Sequence, residues 1–373
     1  MTHVAIIITL FFVLYIIQEF FYRKLWSRKL TVEVSYGSRD AFEGQTVGFQ
    51  ETVWNGKRIP MPYINIRYTQ SQHLRQTDLS GKSTYSGRDR SSLFAVPGKR
   101  RVTRKTLLVC EKRGFYVLSK GTVLSSDMLL SRTYRKDIEL SESLTVYPRE
   151  IEVSDIEIPY KRLCGEVLTK RFILPDPFEF GGVREYQPFD SFRQINFNAW
   201  AKTGVPMSNI YGHTVSQEVR IVLNMQRYSL FYRDGVFENA IRLAAFLARQ
   251  YLEAGIPVSF VTNGLDCVTY APGRAEKGRT MRHLREIYEI LARMDISKNV
   301  ICEPITAFLP EKSELNADGM VVALISSYDG GELYEWHNAT VEAGVDVLWI
   351  APRCEHDKNM YKGAVVAWEV PND

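Results

Sequence analysis

The run Glu218-Val-Arg-Ile-Val-Leu-Asn-Met225 is short, apolar and rich in β-branched residues, and the alternation that it begins decides the fold of the second half of the chain. Val236 to Leu252 repeats apolar residues at helical spacing, and Ile256 to Thr262 is strand-like again. A helix from about Arg279 to Arg293, a strand Met320 to Ile325, a helix near Leu333 to Ala343 and a strand Val345 to Ile350 continue the alternation, and Gly363 to Val370 supplies a last strand. Strands taking turns with helices predict a parallel sheet covered on both faces, so residues 218–373 read as a Rossmann-like α/β domain.

Upstream the pattern changes. Thr31 to Tyr36, Thr46 to Trp54, Tyr63 to Thr69, Thr106 to Glu111, Gly114 to Leu118 and Leu144 to Tyr147 are short β-branched and aromatic runs separated by Gly, Pro, Asn and Ser. They predict an antiparallel β-sandwich of about six or seven strands over residues 30–150, with Asn55-Gly56 as one hairpin turn. Gln70 to Pro97 reads as a polar loop. Within it Gly81-Lys-Ser-Thr84 resembles a phosphate loop, but the pattern's first glycine should fall at Gln76, and neither a preceding strand nor a following apolar helix is evident. The basic run Lys99, Arg100, Arg101, Arg104 and Lys105 reads either as a solvated strand edge or as a contact for anionic lipid heads.

The amino-terminal stretch from Val4 to Ile17 is apolar at every position except Thr9, and Phe20, Phe21 and Tyr22 extend it past Gln18 and Glu19. A helix over residues 3–22 rises about 30 Å at 1.5 Å per residue, the thickness of a bilayer's hydrocarbon core. It lacks a basic leader and a small-residue cleavage site, so it reads as a retained single-pass anchor. Arg23, Lys24, Arg28 and Lys29 follow it and only His3 precedes it, which places the globular part on the cytoplasmic side of the cell membrane.

Residues 151–217 connect the two domains and hold Gly181-Gly-Val-Arg-Glu-Tyr-Gln-Pro-Phe-Asp190-Ser-Phe-Arg-Gln-Ile-Asn-Phe-Asn-Ala-Trp200-Ala-Lys-Thr-Gly204, where charge, aromatics and turn residues mix without a core pattern. One compact helix is predicted, opened by Pro188 and a capping Asp190 and closed by Lys202 and Gly204. Arg193, Phe197 and Trp200 share one side of it, with Ile195 and Ala199 elsewhere. Arg184, Glu185, Asp190 and Arg193 favour an internal ion-pair cluster. The segment is either a clasp between domains or a docking surface.

Composition narrows the chemistry. Lys and Arg total 47 against 43 Asp and Glu, and a net charge of +4 over 373 residues does not argue for nucleic acid. The five cysteines are widely spaced with no Cys-x-x-Cys pair, and the six histidines show no metal-binding spacing. A reducing compartment fits, and no cofactor is expected. A hydrolase would have to use Cys164 before Gly165, or a Ser, with His213 after Gly212, and neither sits in a nucleophile turn.

Arg184, Tyr186, Pro188, Asp190, Arg193 and Ile195, with Lys112-Arg113-Gly114-Phe115-Tyr116 and Val146-Tyr147-Pro148-Arg149 upstream, resemble the signature of the bacterial family called domain of unknown function 58. Phe197 stands where that family usually has Trp, with Trp200 one turn later, and Phe189 stands where Gly is usual. The resemblance implies a carboxy-terminal domain similar to von Willebrand factor A. It further implies a non-catalytic membrane adaptor whose partner is a MoxR-type AAA+ ATPase. The metal motif of such domains, Asp-x-Ser-x-Ser, is replaced by Asn224, Gln226 and Tyr228, with Arg227 nearby, so no metal is expected. Arg184, Tyr186, Arg193 and Trp200 would be the interface anchors.

Overall fold

Alternation of apolar and polar side chains builds most of the first half of the protein into paired strands, and the computed structural model describes residues 2–77, 83–85, 88–127, 130–149, 151, 180–187, 192, 195–211, 218–227, 234–297, 302–309, 320–327, 330–353 and 365–370. They fall into two compact units, Met1–Arg149 and Glu150–Asp373.

The first unit opens with helix α1 (Thr2–Leu25). Among the described residues, Ile6–Leu25 is the helical stretch long and apolar enough to cross a bilayer, with mean hydropathy 1.7 and 6% of it buried. Among the described residues ten strands follow: β1 (Leu30–Tyr36), β2 (Asp40–Phe42), β3 (Thr46–Asn55), β4 (Met61–Thr69), β5 (Leu74–Thr77), β6 (Ser83–Tyr85), β7 (Asp89–Val96), β8 (Arg100–Cys110), β9 (Gly114–Ser126) and β10 (Thr133–Tyr147). They form two five-stranded sheets, in the orders β1-β3-β8-β5-β6 and β2-β10-β9-β4-β7. Every pairing among the described residues is antiparallel except β2 with β10, which is parallel. Val53, Ile64, Ile66 and Leu108 are fully buried between the sheets.

The segment Gln70–Pro97 is therefore not one loop, because it supplies β5, β6 and β7. The sequence resembling a phosphate loop has Ser83 and Thr84 in strand β6, where a nucleotide loop requires a helix, and Gln76 in β5. The core of this unit also holds charge. Glu51 is wholly buried and accepts from the Tyr68 hydroxyl at 3.1 Å and the Ser92 hydroxyl at 2.9 Å. Arg90, also buried, donates to Gln70 at 3.1 Å and to the Leu74 carbonyl at 2.8 Å. Burial beside the Glu51 carboxylate pushes the Tyr68 hydroxyl well above its ordinary pKa.

In the second unit, β11 (Phe180–Glu185) pairs antiparallel with β12 (Met207–Tyr211), and helix α2 (Phe197–Thr203) lies between them in sequence. A six-stranded sheet comes next, from β13 (Glu218–Leu223), β14 (Val258–Leu265), β15 (Pro272–Gly278), β16 (Met320–Ile325), β17 (Asp346–Arg353) and β18 (Val365–Glu369). Its spatial order is β15-β14-β13-β16-β17-β18. All its pairings are parallel except β14 with β15. Helix α3 (Asp234–Glu253) packs on β13, β14 and β17 and is itself covered by α4 (Met281–Arg293). Helix α5 (Gly331–Glu342) and the 3-10 turn Ile305–Phe308 share a second cluster with Val222, Val322, Leu324 and Trp349. Residues of β13 and β16 alternate between these two groups, so both faces of the sheet are covered.

Candidate functional site

Helix α2 forms where the sequence predicted a helix but starts later. Its cap is Asn196, not Asp190: Asn196 has extended backbone and its side chain accepts from Ala199 N at 2.9 Å, satisfying a first-turn donor. Gly204, at φ 72°, closes it and donates to the Trp200 carbonyl at 2.8 Å, a conformation glycine adopts without a Cβ clash. Lys202 sits in the last turn and is exposed, favourable against the helix dipole.

The helix buries nothing, which is what marks it. Phe197 is 67% exposed and stacks on Trp200, 38% exposed, with ring centroids 6.1 Å apart. Phe192 is 79% exposed, and its ring lies 6.1 Å from that of Tyr186. Tyr186 is held by its backbone N–H to the Pro206 carbonyl, and Ile195 bridges to Ser208. Arg184, on β11, is exposed and donates to the Glu185 carbonyl at 3.1 Å. Of the sequence-predicted residues, the structure brings Tyr186, Ile195, Phe197, Trp200 and Lys202 onto the β11, α2 and β12 segment. Pro188, Asp190 and Arg193 lie outside the described residues, as do Tyr228, Cys164 and His213. Phe192 was missed because an isolated aromatic in a turn carries no periodic signal.

The second candidate lies where the strand order of the sheet reverses direction, between β13 and β16. At the carboxyl ends of those strands side-chain groups converge, and in open α/β sheets this is where ligands bind. Here the position is occupied by amides bonded to one another. Asn224 donates to Ser326 Oγ at 3.0 Å, and its oxygen accepts from Gln226 N and from Asn263 Nδ2, both at 3.0 Å. Asn263 in turn accepts from Met225 N at 2.7 Å and donates to the Glu303 carbonyl at 2.9 Å. Trp349 Nε1 donates to the Ser326 carbonyl at 3.1 Å. Asn224, Asn263 and Ser326 are all buried. Both lone pairs of the Asn224 oxygen are thus directed at N–H donors, and a cation there would have to displace them. Arg227 pairs with Asp234 at the start of α3 and stands 5.8 Å from the Phe237 ring. Among the described residues no three His, Cys, Asp or Glu side chains are grouped to hold a metal. Sequence reasoning found Asn224 and Gln226 but missed Asn263, whose signal is an amide directly after the strand-like run Ile256 to Thr262.

The basic run is mostly strand. Arg100 to Lys105 belong to β8 and pair with Gln50 to Asn55 of β3. Because β5 pairs only with Leu107 to Cys110, the basic half has β3 as its single neighbour among the described residues, so the edge reading holds for half the strand. Arg101 lies 5.8 Å from the Trp54 ring, and Arg104 lies 4.6 Å from the Phe94 ring while donating to the Leu93 carbonyl at 2.6 Å. Lys99, Arg100 and Lys105 are exposed. The fold also brings this run to Arg58 and Lys29, through Lys99 N to Lys57 O at 2.7 Å and Gly56 N to Lys29 O at 2.9 Å.

Other candidates are weaker. Burial pushes the thiols of Cys110 and Cys302 up to about 11, so neither is a ready nucleophile. A cavity of about 820 Å³ on the β10-β9-β4-β7 sheet is lined by both signs of charge. Of its three acids, Asp137 and Asp89 are engaged by Thr122 at 2.8 Å and Thr69 at 3.2 Å, and Glu139 is the third.

No protein-family model matches the chain, and no curated protein matches it. Three solved structures illustrate its similarities. The CARDB domain of a Pyrococcus furiosus protein is 13% identical over 30% of this chain and 91% of its own, with TM-score 0.18. A conjugative transposon lipoprotein from Bacteroides eggerthii is 16% identical over 31% and 98%, with TM-score 0.21. A non-cellulosomal cohesin from Archaeoglobus fulgidus is 13% identical over 34% and 98%, with TM-score 0.22. Scores this low carry no argument about function.

Proposed function

We propose that the protein is a single-pass, membrane-anchored, non-catalytic adaptor that docks a protein partner through the aromatic face of α2. The observation that carries this is the stacked, exposed Phe197 and Trp200 on a helix capped at both ends, with Phe192 exposed beside them in sequence. Exposed aromatics held on a rigid element are what binding hot spots are made of.

The second unit is read as von Willebrand factor A-like. Numbered from β13, its strand order is 3-2-1-4-5-6 with strand 3 antiparallel, and the Asn224 and Gln226 position lies at the reversal point, as the resemblance to the domain of unknown function 58 family implies. By the same resemblance the partner is a MoxR-type AAA+ ATPase. Retention of α1 is supported by its packing: Tyr22 and Trp26 are buried in the sandwich core, as expected of a helix end that belongs to the folded unit. The basic residues after it favour the cytoplasmic side for the units.

The test is the Phe197→Ala/Trp200→Ala double variant. Loss of a central Trp costs about 2 kcal/mol or more at an interface, roughly a 30-fold weaker Kd. Loss of ATPase co-purification with an unchanged thermal midpoint is expected. A fall in the midpoint instead makes the face a structural clasp, and no change in either measurement overturns both readings.

An anionic-lipid surface at Lys29, Arg58 and Lys99 to Arg101 is the second reading, favoured by the convergence of three basic segments. That end lies about seven helical residues, or roughly 10 Å, beyond Glu19, a full Debye length at physiological salt. Its contribution is correspondingly small.

A further inference from the structure

The apolar helix does not leave the membrane alone. At its carboxyl-terminal half it meets a turn of the sandwich, of which Asp127 and Leu130 to Arg132 are described. Tyr15 Oη donates to Ser131 Oγ at 3.1 Å, Gln18 Nε2 to Asp127 Oδ2 at 3.4 Å, and Arg132 pairs with Glu19 at 2.6 Å. Tyr22 and Ser125 share a hydrogen bond of 2.8 Å one turn further on.

The turn is preorganised. The Asp127 carboxylate accepts from Ser131 N at 2.7 Å, Ser131 Oγ at 2.5 Å and Arg132 N at 3.1 Å. Leu130 N donates to the Asp127 carbonyl at 3.0 Å. Within this frame Leu130 holds φ 56°, a left-handed conformation that costs a leucine about 1 kcal/mol, and its side chain is 64% exposed. A strained, exposed leucine is unfavourable in water on both counts.

Depth along α1 resolves this. Gln18 and Glu19 mark where the helix meets polar partners, and Tyr15 lies three residues, about 4.5 Å, further into the apolar stretch. Ser131 bonds to Tyr15, so Leu130, the residue before it, is held near that level of α1, where Leu14, Ile16 and Ile17 are also exposed. A tyrosine at this level matches the aromatic belt of a membrane interface, with acyl chains immediately below.

We propose that Leu130 inserts into the acyl-chain boundary of the bilayer crossed by α1, making Leu130, with the neighbouring Ser131 and Arg132, a second membrane contact that fixes the depth and tilt of the sandwich. This rests on the reading of α1 as a membrane anchor. One inserted leucine adds little affinity beside a spanning helix. Its effect is orientation: two contacts, bridged by Tyr15, Gln18 and Glu19, leave the first unit little freedom to swing about the helix.

The full chain, reconstituted in vesicles whose phospholipids are brominated along the acyl chains, tests this with a fluorophore on Leu130→Cys, Phe12→Cys or Val117→Cys, the labelled parent chain serving as blank. Val117 is exposed on β9, nine residues from the end of the strand that leads into the turn. Loss of fluorescence at positions 12 and 130 with retention at 117 is expected. Loss at 12 alone overturns the insertion and leaves the anchor standing. No loss at any position overturns the anchor and the insertion together, and loss at 117 as well overturns the proposed placement of the turn.

Discussion

Trp26→Ala is the most direct test of whether the apolar helix and the sandwich are one folded object. Trp26 lies just beyond α1, is 7% exposed, and sits in the sandwich core with its ring 6.1 Å from Tyr134, which also contacts Tyr22 at 5.8 Å. Truncating a buried Trp to Ala costs about 3–5 kcal/mol, the lower end where the cavity collapses. The neighbouring Tyr134 is only partly buried and can close on part of the cavity, so we take about 3 kcal/mol, a factor of roughly 100 in the opening equilibrium. Native-state hydrogen exchange of the full chain in detergent micelles reads this directly, because the slowest amides of β3 and β9 report opening of the first unit alone. Their exchange is expected to quicken about 100-fold while the amides of β13 and β16, in the other unit, keep their rates. An unchanged rate in β3 and β9 would show that the helix end lies on the sandwich without stabilising it. The argument for a retained anchor would then fail.

Desolvation lowers the Lys57 ammonium to about 8, and it donates to the Trp26 carbonyl. Because the folded state holds this proton less tightly than the unfolded chain, stability of the first unit should rise between about pH 8 and 10.5, and Lys57→Met should flatten that rise in urea titrations. A Cβ on Gly98 would fall on the Arg58 backbone carbonyl, so Gly98→Ala should lower the thermal midpoint by several degrees, whereas Gly44→Ala, with open space but φ 86°, should cost only about 1 kcal/mol. Asn224→Asp removes the donor to Ser326 and buries a carboxylate, and should destabilise the second unit by about 1–3 kcal/mol, more as pH rises through the new group's pKa. Millimolar Mg2+ should leave the thermal midpoint of the parent chain unmoved.

Where side chains obeyed a period, the sequence was legible. Strand Met320–Ile325 and the helices near 236–252 and 281–293 stand where the apolar spacing put them, because burial on a sheet or a helix stripe demands that spacing. Strand β7 was not legible for a physical reason. Its inward positions are Arg90, Ser92, Phe94 and Val96, and half of them are polar because Arg90 and Ser92 serve Gln70, Leu74 and Glu51 inside the sandwich. A polar network in a core erases the hydrophobic alternation that betrays a strand. Strand β15 was missed for the opposite cause: at the edge of its sheet it buries Ala275 alone. The α2 cap was misplaced because Asp190 and Asn196 are both good capping residues by type, and the sequence alone does not choose between them.

The two candidate sites differ in how they use polar groups, and this bears on which of them binds. At the reversal point of the sheet, Asn224, Asn263 and Ser326 satisfy one another while buried, so any ligand would have to break hydrogen bonds already made in a low-dielectric setting, losing about as much as it gained. On α2 the opposite holds. The caps at Asn196 and Gly204 fix the helix without covering Phe197 or Trp200, so a partner gains their burial at about 25 cal/mol per Å² without first disrupting anything. The order already built into the helix lowers the entropic cost of docking. A sealed switch point and an open aromatic face together favour an adaptor that binds through α2 over an enzyme or metal-dependent receptor working through the sheet.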